Sequence, residues 1–166
     1  EALRKEITAT GVAGNLTFIL GNPEAFEKDV RFVETDLNRL WSVSERNRVL
    51  AAPESERNCE ESRMAELLPH LEDVQILIDL HSTILPSRPF IFCRNTPQHL
   101  ALCRYFDIPT IVTFEEADSI GELMCSFDTF ADEQGGLGLT VESGWLKDDS
   151  HYQDVLDGLY HLLRGE

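Results

Sequence analysis

The sequence predicts an α/β domain with a mostly parallel central sheet flanked by helices. Short apolar runs typical of strands alternate with segments whose apolar residues repeat at helical spacing, which is the pattern of βα units. The run VQILIDL is too continuously apolar for a strand that faces water on one side, so we expect a central strand covered on both faces. The candidate strands are residues 16–20, 74–80, 89–93, 110–114 and 137–142.

Helix starts are marked by residues that commonly cap helices. Thr96 stands before Pro97, which suits the first helical position, and three further starts have the spacing of a capping box. Apolar residues at helical spacing follow each start, so we expect these helices to pack an apolar stripe against the core. Pro69 should end or kink the first helix near Leu68. The capping-box pairs are Asn58 with Glu61, Ser119 with Glu122, and Ser150 with Gln153.

The composition predicts one folded domain in the cytoplasm. With 166 residues, 42% of them hydrophobic, the chain is long enough for one core and too short for two ordinary domains. The net charge of -16 repels phosphate backbones and anionic lipid headgroups, so neither nucleic acid nor a membrane surface is expected as a partner. Four widely spaced cysteines without a C-x-x-C pair predict neither a zinc finger nor a disulfide framework, which favours a reducing compartment.

The run IDLHST places His81 at the end of the predicted central strand. In open α/β sheets, ligands bind beyond the carboxyl ends of the strands, so His81 stands where a functional side chain is expected. The alternative is a histidine that only forms a hydrogen bond at a strand end. Taken alone, the residue favours this alternative over a metal ligand.

The run TVESG places Glu142 at the end of another apolar segment, just before a glycine turn. A carboxylate at the same edge of the sheet as His81 suits a general base, provided that partial desolvation raises its pKa. The alternative is a solvated glutamate at the end of a strand. In isolation, that alternative is favoured.

The stretch VRFVETDLNRLW concentrates cations and amides in a chain that is otherwise strongly acidic. Arg31, Asn38 and Arg39 follow a turn-like GNPE, so we expect them on an irregular loop. Guanidinium groups bind carboxylates in a planar, bidentate way, and an asparagine adds a donor and an acceptor. The cluster is therefore interpreted as an anion clamp. The alternative is a salt-bridge network with Glu34 and Asp36.

Together these motifs resemble the aspartoacylase and succinylglutamate desuccinylase family over residues 15–144. The resemblance rests on GNPEAF, on the arginine seven residues before Asn38 in DLNR, on DLH, and on VESG. It implies a three-layer, zinc carboxypeptidase-like fold and zinc-dependent hydrolysis of a C–N bond in a small amide. The partner that it implies is a small-molecule N-acyl amino acid or a similar amide.

The resemblance also implies a role for each matching residue. His81 corresponds to a zinc ligand. Glu142 corresponds to the base that takes a proton from the attacking water and returns it to the leaving nitrogen. Arg31 corresponds to the group that polarises the scissile carbonyl, and Asn38 with Arg39 to the pair that holds a substrate carboxylate. Charged donors aimed at a developing oxyanion are expected to supply much of the rate enhancement in such a site.

The chain departs from the family pattern in its zinc ligands. The H-x-x-E pair that supplies two ligands in the family is not in this sequence and is expected before Glu1. We therefore expect residues 1–166 to be a single catalytic-type domain, a fragment without its N-terminal strand and zinc motif, with weak zinc binding and little activity alone. A rival H-x-x-D pair, His151 and Asp154, has a spacing that often arises by chance.

A second departure lies before Glu142. Members that act on dicarboxylic substrates tend to have an arginine there, where this chain has Asp132, Glu133 and Gln134. Negative charge at that place suggests a substrate with one fewer acidic group. Alternatives to a deacylase are a non-catalytic anion-binding module or inactive fragment of the same fold, and a purely structural α/β domain whose charged motifs pair with one another.

Overall fold

The computed structural model describes residues 15–114 and 127–165, without the side chains of residues 127–129. The described chain divides into two compact units. The helical unit contains residues 18–77 and 127–138, and the sheet unit contains residues 15–17, 78–114 and 139–165. No helix among these residues is long and apolar enough to cross a membrane.

Helices and strands alternate along most of the described chain, as an α/β fold requires. Two short 3₁₀ helices, Leu37–Arg39 and Glu54–Glu56, supplement the regular elements. The regular elements are α1 (Pro23–Glu27), α2 (Val43–Ala51), α3 (Cys59–Leu71), β1 (Ile76–Thr83), β2 (Phe90–Arg94), α4 (Pro97–Cys103), β3 (Ile111–Phe114), α5 (Phe127–Glu133), β4 (Leu137–Trp145) and α6 (Tyr152–Arg164).

The four strands form one sheet in the order β1-β4-β2-β3. Strand β2 runs parallel to β3 and antiparallel to β4. The amide of Leu137 donates to the carbonyl of Gln75, and the amide of Leu146 donates to that of Thr83, each at 2.9 Å. Because these partners advance in the same direction, β1 and β4 are parallel. The prediction of an α/β fold with a mostly parallel sheet is confirmed.

Among the strands that the structure describes, β1 is not the central strand that its apolar sequence predicts. It lies at one end of the strand order, and its side chains Ile76 and Leu80 are 43% and 51% exposed. The strand covered on both faces is β4, where Leu139 on one face is fully buried and Thr140 on the other is 8% exposed. An apolar run indicates that a strand is hydrophobic, but it does not indicate where in the sheet the strand lies or how far its two faces are buried.

The predicted strand over residues 16–20 is also wrong. This stretch has no regular secondary structure, and its large apolar side chains are between 40% and 52% exposed. A strand requires a partner for its backbone N–H and C=O groups, and no described strand pairs with this segment. The exposed side chains are Leu16, Phe18, Ile19 and Leu20.

The caps of two helices are confirmed. Asn58 and Glu61 form a full capping box at the start of α3, and Thr96 caps α4 with Pro97 in its first turn. Helix α3 continues past Pro69 to Leu71, so of the two predicted outcomes an end near Leu68 is wrong and a kink stays a prediction. Only the last turn follows this proline, so the helix loses a single hydrogen bond there.

The other two predicted starts differ in outcome. Helix α6 begins after His151, which makes no side-chain cap bond, so Ser150 is not the cap. The amide of Ser150 instead donates to Asp148 at 3.1 Å in the preceding turn. The pair Ser119 and Glu122, with the stripe that follows it, lies outside the described residues.

The core of the helical unit is the apolar stripe of α3 packed against neighbouring segments. Met64, Leu67 and Leu71 on α3 are each less than 5% exposed, as their helical spacing predicts. Trp41 lies in the same cluster with its ring 5.8 Å from that of Phe130. This core holds the segment before α2 firmly against α3, and that segment includes two of the predicted site residues.

In the sheet unit, Gly158 of α6 allows the helix to lie against the ring of Phe106. A Cβ at residue 158 would overlap this ring, with its Cγ and Cε1 atoms at only 2.8 and 2.9 Å. We expect Gly158→Ala to lower the free energy of unfolding by about 1–3 kcal/mol, because overpacking outweighs the gain of about 1 kcal/mol in helix propensity. Urea unfolding would measure the change.

The control for this prediction enlarges the space at the same contact. Phe106→Leu with Gly158→Ala should be more stable than the sum of the two single changes, since the shorter side chain removes the overlap. Two results would contradict this account: losses of unfolding free energy that simply add in the double variant, or a Gly158→Ala protein as stable as the natural chain.

Candidate active site

Arg31 and Asn38 are joined in the helical unit through one carboxylate. Nε and Nη2 of Arg31 donate to Oδ2 of Asp36 at 3.1 and 2.8 Å. Oδ1 of the same carboxylate accepts a hydrogen bond from the backbone N–H of Asn38 at 3.1 Å and caps the 3₁₀ helix. Asp36 therefore fixes the position of the guanidinium relative to Asn38.

The expectation of an irregular loop is right for Arg31 and wrong for the other two members of the cluster. Asn38 and Arg39 lie in the 3₁₀ helix Leu37–Arg39, where Asp36 satisfies a free backbone donor. The Arg39 side chain is exposed, and its Nη1 donates to the carbonyl of Asn38 at 3.0 Å.

The salt-bridge alternative for this cluster is realised in part. Asp36 pairs with Arg31, whose side chain is 51% exposed. Glu34 makes a different contact, accepting a hydrogen bond from the backbone N–H of Cys59 at 2.8 Å. Among the described residues, Nη1 of Arg31 has no hydrogen-bond partner. Nη1 of this guanidinium can thus bind a ligand while Asp36 holds the other two nitrogens, Nε and Nη2.

A buried carboxylate that the sequence analysis missed organises the segment between these residues. Glu60, in the first turn of α3, is 0% exposed. Its Oε1 accepts hydrogen bonds from the Asn22 side chain at 3.0 Å and from the amide of Val33 at 2.6 Å. Its Oε2 accepts from the amides of Glu34 and Thr35, both at 3.1 Å. The sequence shows only an acidic residue in the first turn of a helix, where such residues are common.

The neighbouring carboxylate, Glu61, is also buried and forms the capping box. The backbone N–H of Asn58 lowers the pKa of Glu61, burial opposes this, and the guanidinium of Arg48 lowers it further, so the net direction is downward. Arg48 lies 2.7 Å from Oε1 of Glu61. Glu61 is therefore held as a carboxylate in the folded protein.

Lowered carboxyl pKa values make the stability of the helical unit pH-dependent. The pKa of Glu61 is below its ordinary value of 4.5, so the unfolded chain binds more protons than the folded chain near that pH. This stabilisation is complete above about pH 5 and is lost as the pH falls through the lowered value. We expect the free energy of unfolding to fall as the pH is lowered below about 5, and less steeply in Glu61→Gln.

Urea unfolding at several pH values would test this expectation. The matched control is Glu27→Gln, which removes an exposed carboxylate and should leave the slope unchanged. Equal slopes for Glu61→Gln and the natural chain would show that Glu61 does not contribute.

In the sheet unit, His81 lies on β1 with its imidazole held by a carboxylate. Nε2 of His81 is 2.9 Å from Oδ2 of Asp79, and the two side chains are 29% and 16% exposed. Residues two apart on a strand point to the same face, so the D-x-H spacing produces this contact directly. Asp79 was not among the predicted site residues, although this spacing indicates it.

Glu142 lies on β4, the strand beside β1. It is partly buried and stands opposite Phe90 of β2 in the register of the sheet. The hydroxyl of the next residue, Ser143, donates to the backbone carbonyl of His81 at 2.9 Å. His81 and Glu142 are thus on hydrogen-bonded neighbouring strands.

The glycine after this pair shapes the end of β4. Gly144 has a φ of +97°, a conformation that L side chains rarely adopt. A Cβ there would also lie 3.2 Å from the carbonyl oxygen of Ser87. Glycine is therefore required at this position inside β4, and the predicted turn directly after Glu142 is wrong, because the strand continues to Trp145.

The structure brings the predicted site residues together in two groups. Asp36 connects Arg31 and Asn38 in the helical unit, and neighbouring strands hold His81 and Glu142 in the sheet unit. That the two groups surround one cavity stays a prediction.

The described residues fit a metal ion only in part. Within residues 15–114 and 127–165, no three His, Cys, Asp or Glu side chains are grouped to hold one. The His81 imidazole supported by Asp79 has the arrangement of a metal-ligating histidine, in which a carboxylate fixes the ring through its other nitrogen. His151 and Asp154 contact each other at 3.2 Å at the start of α6 and are both well exposed. Of His81 and this rival pair, His81 has the surroundings that fit a metal ligand better.

The acidic residues before Glu142 are engaged within the helical unit. Glu133 forms an ion pair with Arg46 at 2.6 Å, and Asp132 accepts a hydrogen bond from the amide of Gly138 at 2.9 Å. Arg46 also lies over the ring of Phe130, 4.7 Å from its centre. Because Arg46 pairs with Glu133, this acid contributes less negative charge to its surroundings than the sequence alone suggests.

The fold is that of solved succinylglutamate desuccinylases and related proteins. The structure of the succinylglutamate desuccinylase from Chromobacterium violaceum superimposes with a TM-score of 0.72 at 21% identity, over 98% of this chain and 54% of that one. Murine aminoacylase 3 superimposes with a TM-score of 0.68 at 19% identity, over 99% of this chain and 60% of that one. The chain thus spans little more than half the length of these proteins.

The sequence establishes the family. The profile of the succinylglutamate desuccinylase/aspartoacylase catalytic domain matches residues 2–154, and the chain belongs to this family. A succinylglutamate desuccinylase from Pseudomonas fluorescens is 42% identical over 74 residues, which are 44% of this chain and 21% of that protein. A probable aspartoacylase from Nostoc is 39% identical over 99 residues, which are 57% of this chain and 33% of that protein.

Proposed function

We propose that this chain forms the catalytic core of a zinc-dependent deacylase that hydrolyses the amide bond of N-acylated amino acids in the cytoplasm. The observation that supports this proposal most directly is the match of the family profile to residues 2–154. The names of the similar proteins, succinylglutamate desuccinylase and probable aspartoacylase, indicate substrates with an acyl group on an amino acid. The alternative of a purely structural domain does not account for this match.

In this proposal Arg31 binds the carbonyl oxygen of the scissile amide. The guanidinium is held by Asp36 through two of its nitrogens, which leaves Nη1 to donate to the oxygen as negative charge develops on it. A donor that is positioned before the reaction stabilises the transition state more than one that must reorient. Asn38 and Arg39 hold the substrate carboxylate, since they lie next to Arg31 in an otherwise acidic chain.

Glu142 transfers the proton. Its carboxylate takes a proton from the attacking water and returns it to the leaving nitrogen, so the amide C–N bond breaks with no net gain or loss of protons on the enzyme. His81 binds the zinc ion, with Asp79 orienting its ring through Nε2. When bound, zinc supplies Lewis acidity and lowers the pKa of a water molecule to about 7.

A hydrolysis screen with the full chain, by which we mean residues 1–166 joined to a segment that carries the family's H-x-x-E pair, tests the proposal. The protein, loaded with zinc, is incubated with N-acetylaspartate, N-succinylglutamate and N-acetyl derivatives of neutral amino acids, and the free amine is measured. We expect at least one substrate to be hydrolysed, and hydrolysis to stop after chelation and return with zinc. A preference for the neutral amino acids would support the prediction of one fewer acidic group.

Two outcomes would contradict the deacylase. Zinc-loaded protein that binds N-acyl amino acids without hydrolysing any of them would favour an anion-binding module. Hydrolysis that is unaffected by chelation would reject the proposed metal dependence.

A further inference from the structure

Glu60 differs from the other acidic residues of the described chain in how it is paired. It is completely buried, yet no cation among the described residues forms an ion pair with it. Four neutral N–H groups donate hydrogen bonds to its carboxylate, three from the backbone and one from the Asn22 side chain. Burying a charge is costly unless donors converge on it, so this arrangement requires the donors to be held in place.

Three of these donors are consecutive backbone amides. The N–H groups of Val33, Glu34 and Thr35 all point at the Glu60 carboxylate, at 2.6, 3.1 and 3.1 Å. Successive amides that converge on one anion form a concave nest, and its shape restricts the backbone dihedrals of the segment. The carboxylate thus determines the course of the chain between Arg31 and Asp36.

Further contacts fix the same segment to the start of α3. The Asn58 side chain donates to the hydroxyl of Thr35 at 2.9 Å, and the amide of Cys59 donates to Glu34 at 2.8 Å. Asp36, the next residue, binds Arg31 through its side chain and caps the 3₁₀ helix of Asn38 and Arg39. A change in the shape of the nest would therefore move Asp36, and with it the Arg31 and Asn38 of the proposed anion clamp.

We propose that Glu60 is a positioning residue: it holds segment 33–35 in the shape that places Arg31 and Asn38 for substrate binding. This role rests on the proposed function, because it concerns the reaction that Arg31 assists. Glu60 itself touches no reacting atom and acts through the backbone amides and Asp36. A glutamine in its place would keep one acceptor and present an NH₂ group to amides that also need an acceptor.

Hydrogen exchange of the backbone amides tests the nest without any substrate. In Glu60→Gln we expect the amides of residues 33–35 to exchange at least about 10-fold faster than in the natural chain. The matched control is Glu61→Gln, a buried carboxylate in the same turn that contacts Asn58 and Arg48 instead. It should leave exchange at 33–35 within about twofold. Unchanged exchange in Glu60→Gln would overturn the proposal.

A milder variant covers the case in which Glu60→Gln does not fold. Asn22→Ser removes the amide donor to Glu60 and keeps a side-chain oxygen that can cap α1 by accepting from the amide of Ala25. It should also accelerate exchange at Val33, because Glu60 loses one of its four donors. Natural exchange rates in a folded Asn22→Ser protein would count against the proposal.

A double-mutant cycle on activity separates positioning from general stability. Glu60→Gln should lower kcat/KM by about 10- to 100-fold at a temperature where the protein stays folded. Arg31→Ala should lower kcat/KM by a much smaller factor in the Glu60→Gln protein than in the natural chain. The reason is that a misplaced guanidinium contributes little to transition-state binding. If the double variant lowers kcat/KM by the product of the two single factors, Arg31 and Glu60 act independently and the positioning role is rejected. A zinc-loaded full chain that hydrolyses nothing would reject the proposed function, while the exchange result would still decide the role of Glu60 in shaping the segment.

Discussion

Glu142→Gln should lower kcat for hydrolysis of the best N-acyl amino acid by about 10³-fold, with little change in KM. Glutamine has nearly the shape of glutamate, so substrate binding should persist, but it cannot take a proton from the attacking water. Glu142 is only partly buried, and a side chain of nearly the same shape should therefore leave the fold intact. Steady-state kinetics with the zinc-loaded full chain would measure both constants.

The matched control for this prediction is Glu27→Gln, which removes an exposed carboxylate in α1. It should have natural kinetics. A Glu142→Gln protein with kcat within about tenfold of the natural value would show that another group transfers the proton.

Removal of the His81 imidazole should lower the affinity for zinc by at least about 100-fold and abolish hydrolysis with it. Asp79→Asn should lower the affinity by about 10- to 100-fold, because the amide supports the ring less well than the carboxylate at 2.9 Å. Competition with a coloured chelator, using the full chain, would measure both affinities directly.

This second prediction distinguishes a metal ligand from a structural histidine. The contact with Asp79 agrees with both interpretations, since a histidine at a strand end also needs a hydrogen-bond partner. A structural histidine would, on replacement by alanine, reduce stability and leave zinc affinity unchanged. The control is His70→Ala, an exposed position near the end of α3, which should affect neither property.

Features that depend on neighbours in sequence could be predicted well. The capping box of Asn58 and the Thr96–Pro97 start involve residues within one helical turn, and both are confirmed. Four of the five predicted strands correspond to β1 to β4, because apolar runs bounded by turn residues are local features. The four motifs also sufficed to identify the family, which the match over residues 2–154 confirms.

The sequence by itself thus determined the fold class, the family and the residue types offered to a substrate. Only the tertiary structure decided how they are held. Glu60 receives donors from residues 25 to 38 positions away, and β4 lies between β1 and β2 although it follows both in the chain. Such contacts form only when the chain folds back on itself, and their partners are not marked by spacing or periodicity. Local conformational preferences determine the helices and strands. Burial of apolar side chains and the need of buried N–H groups for acceptors determine which residues distant in sequence come into contact.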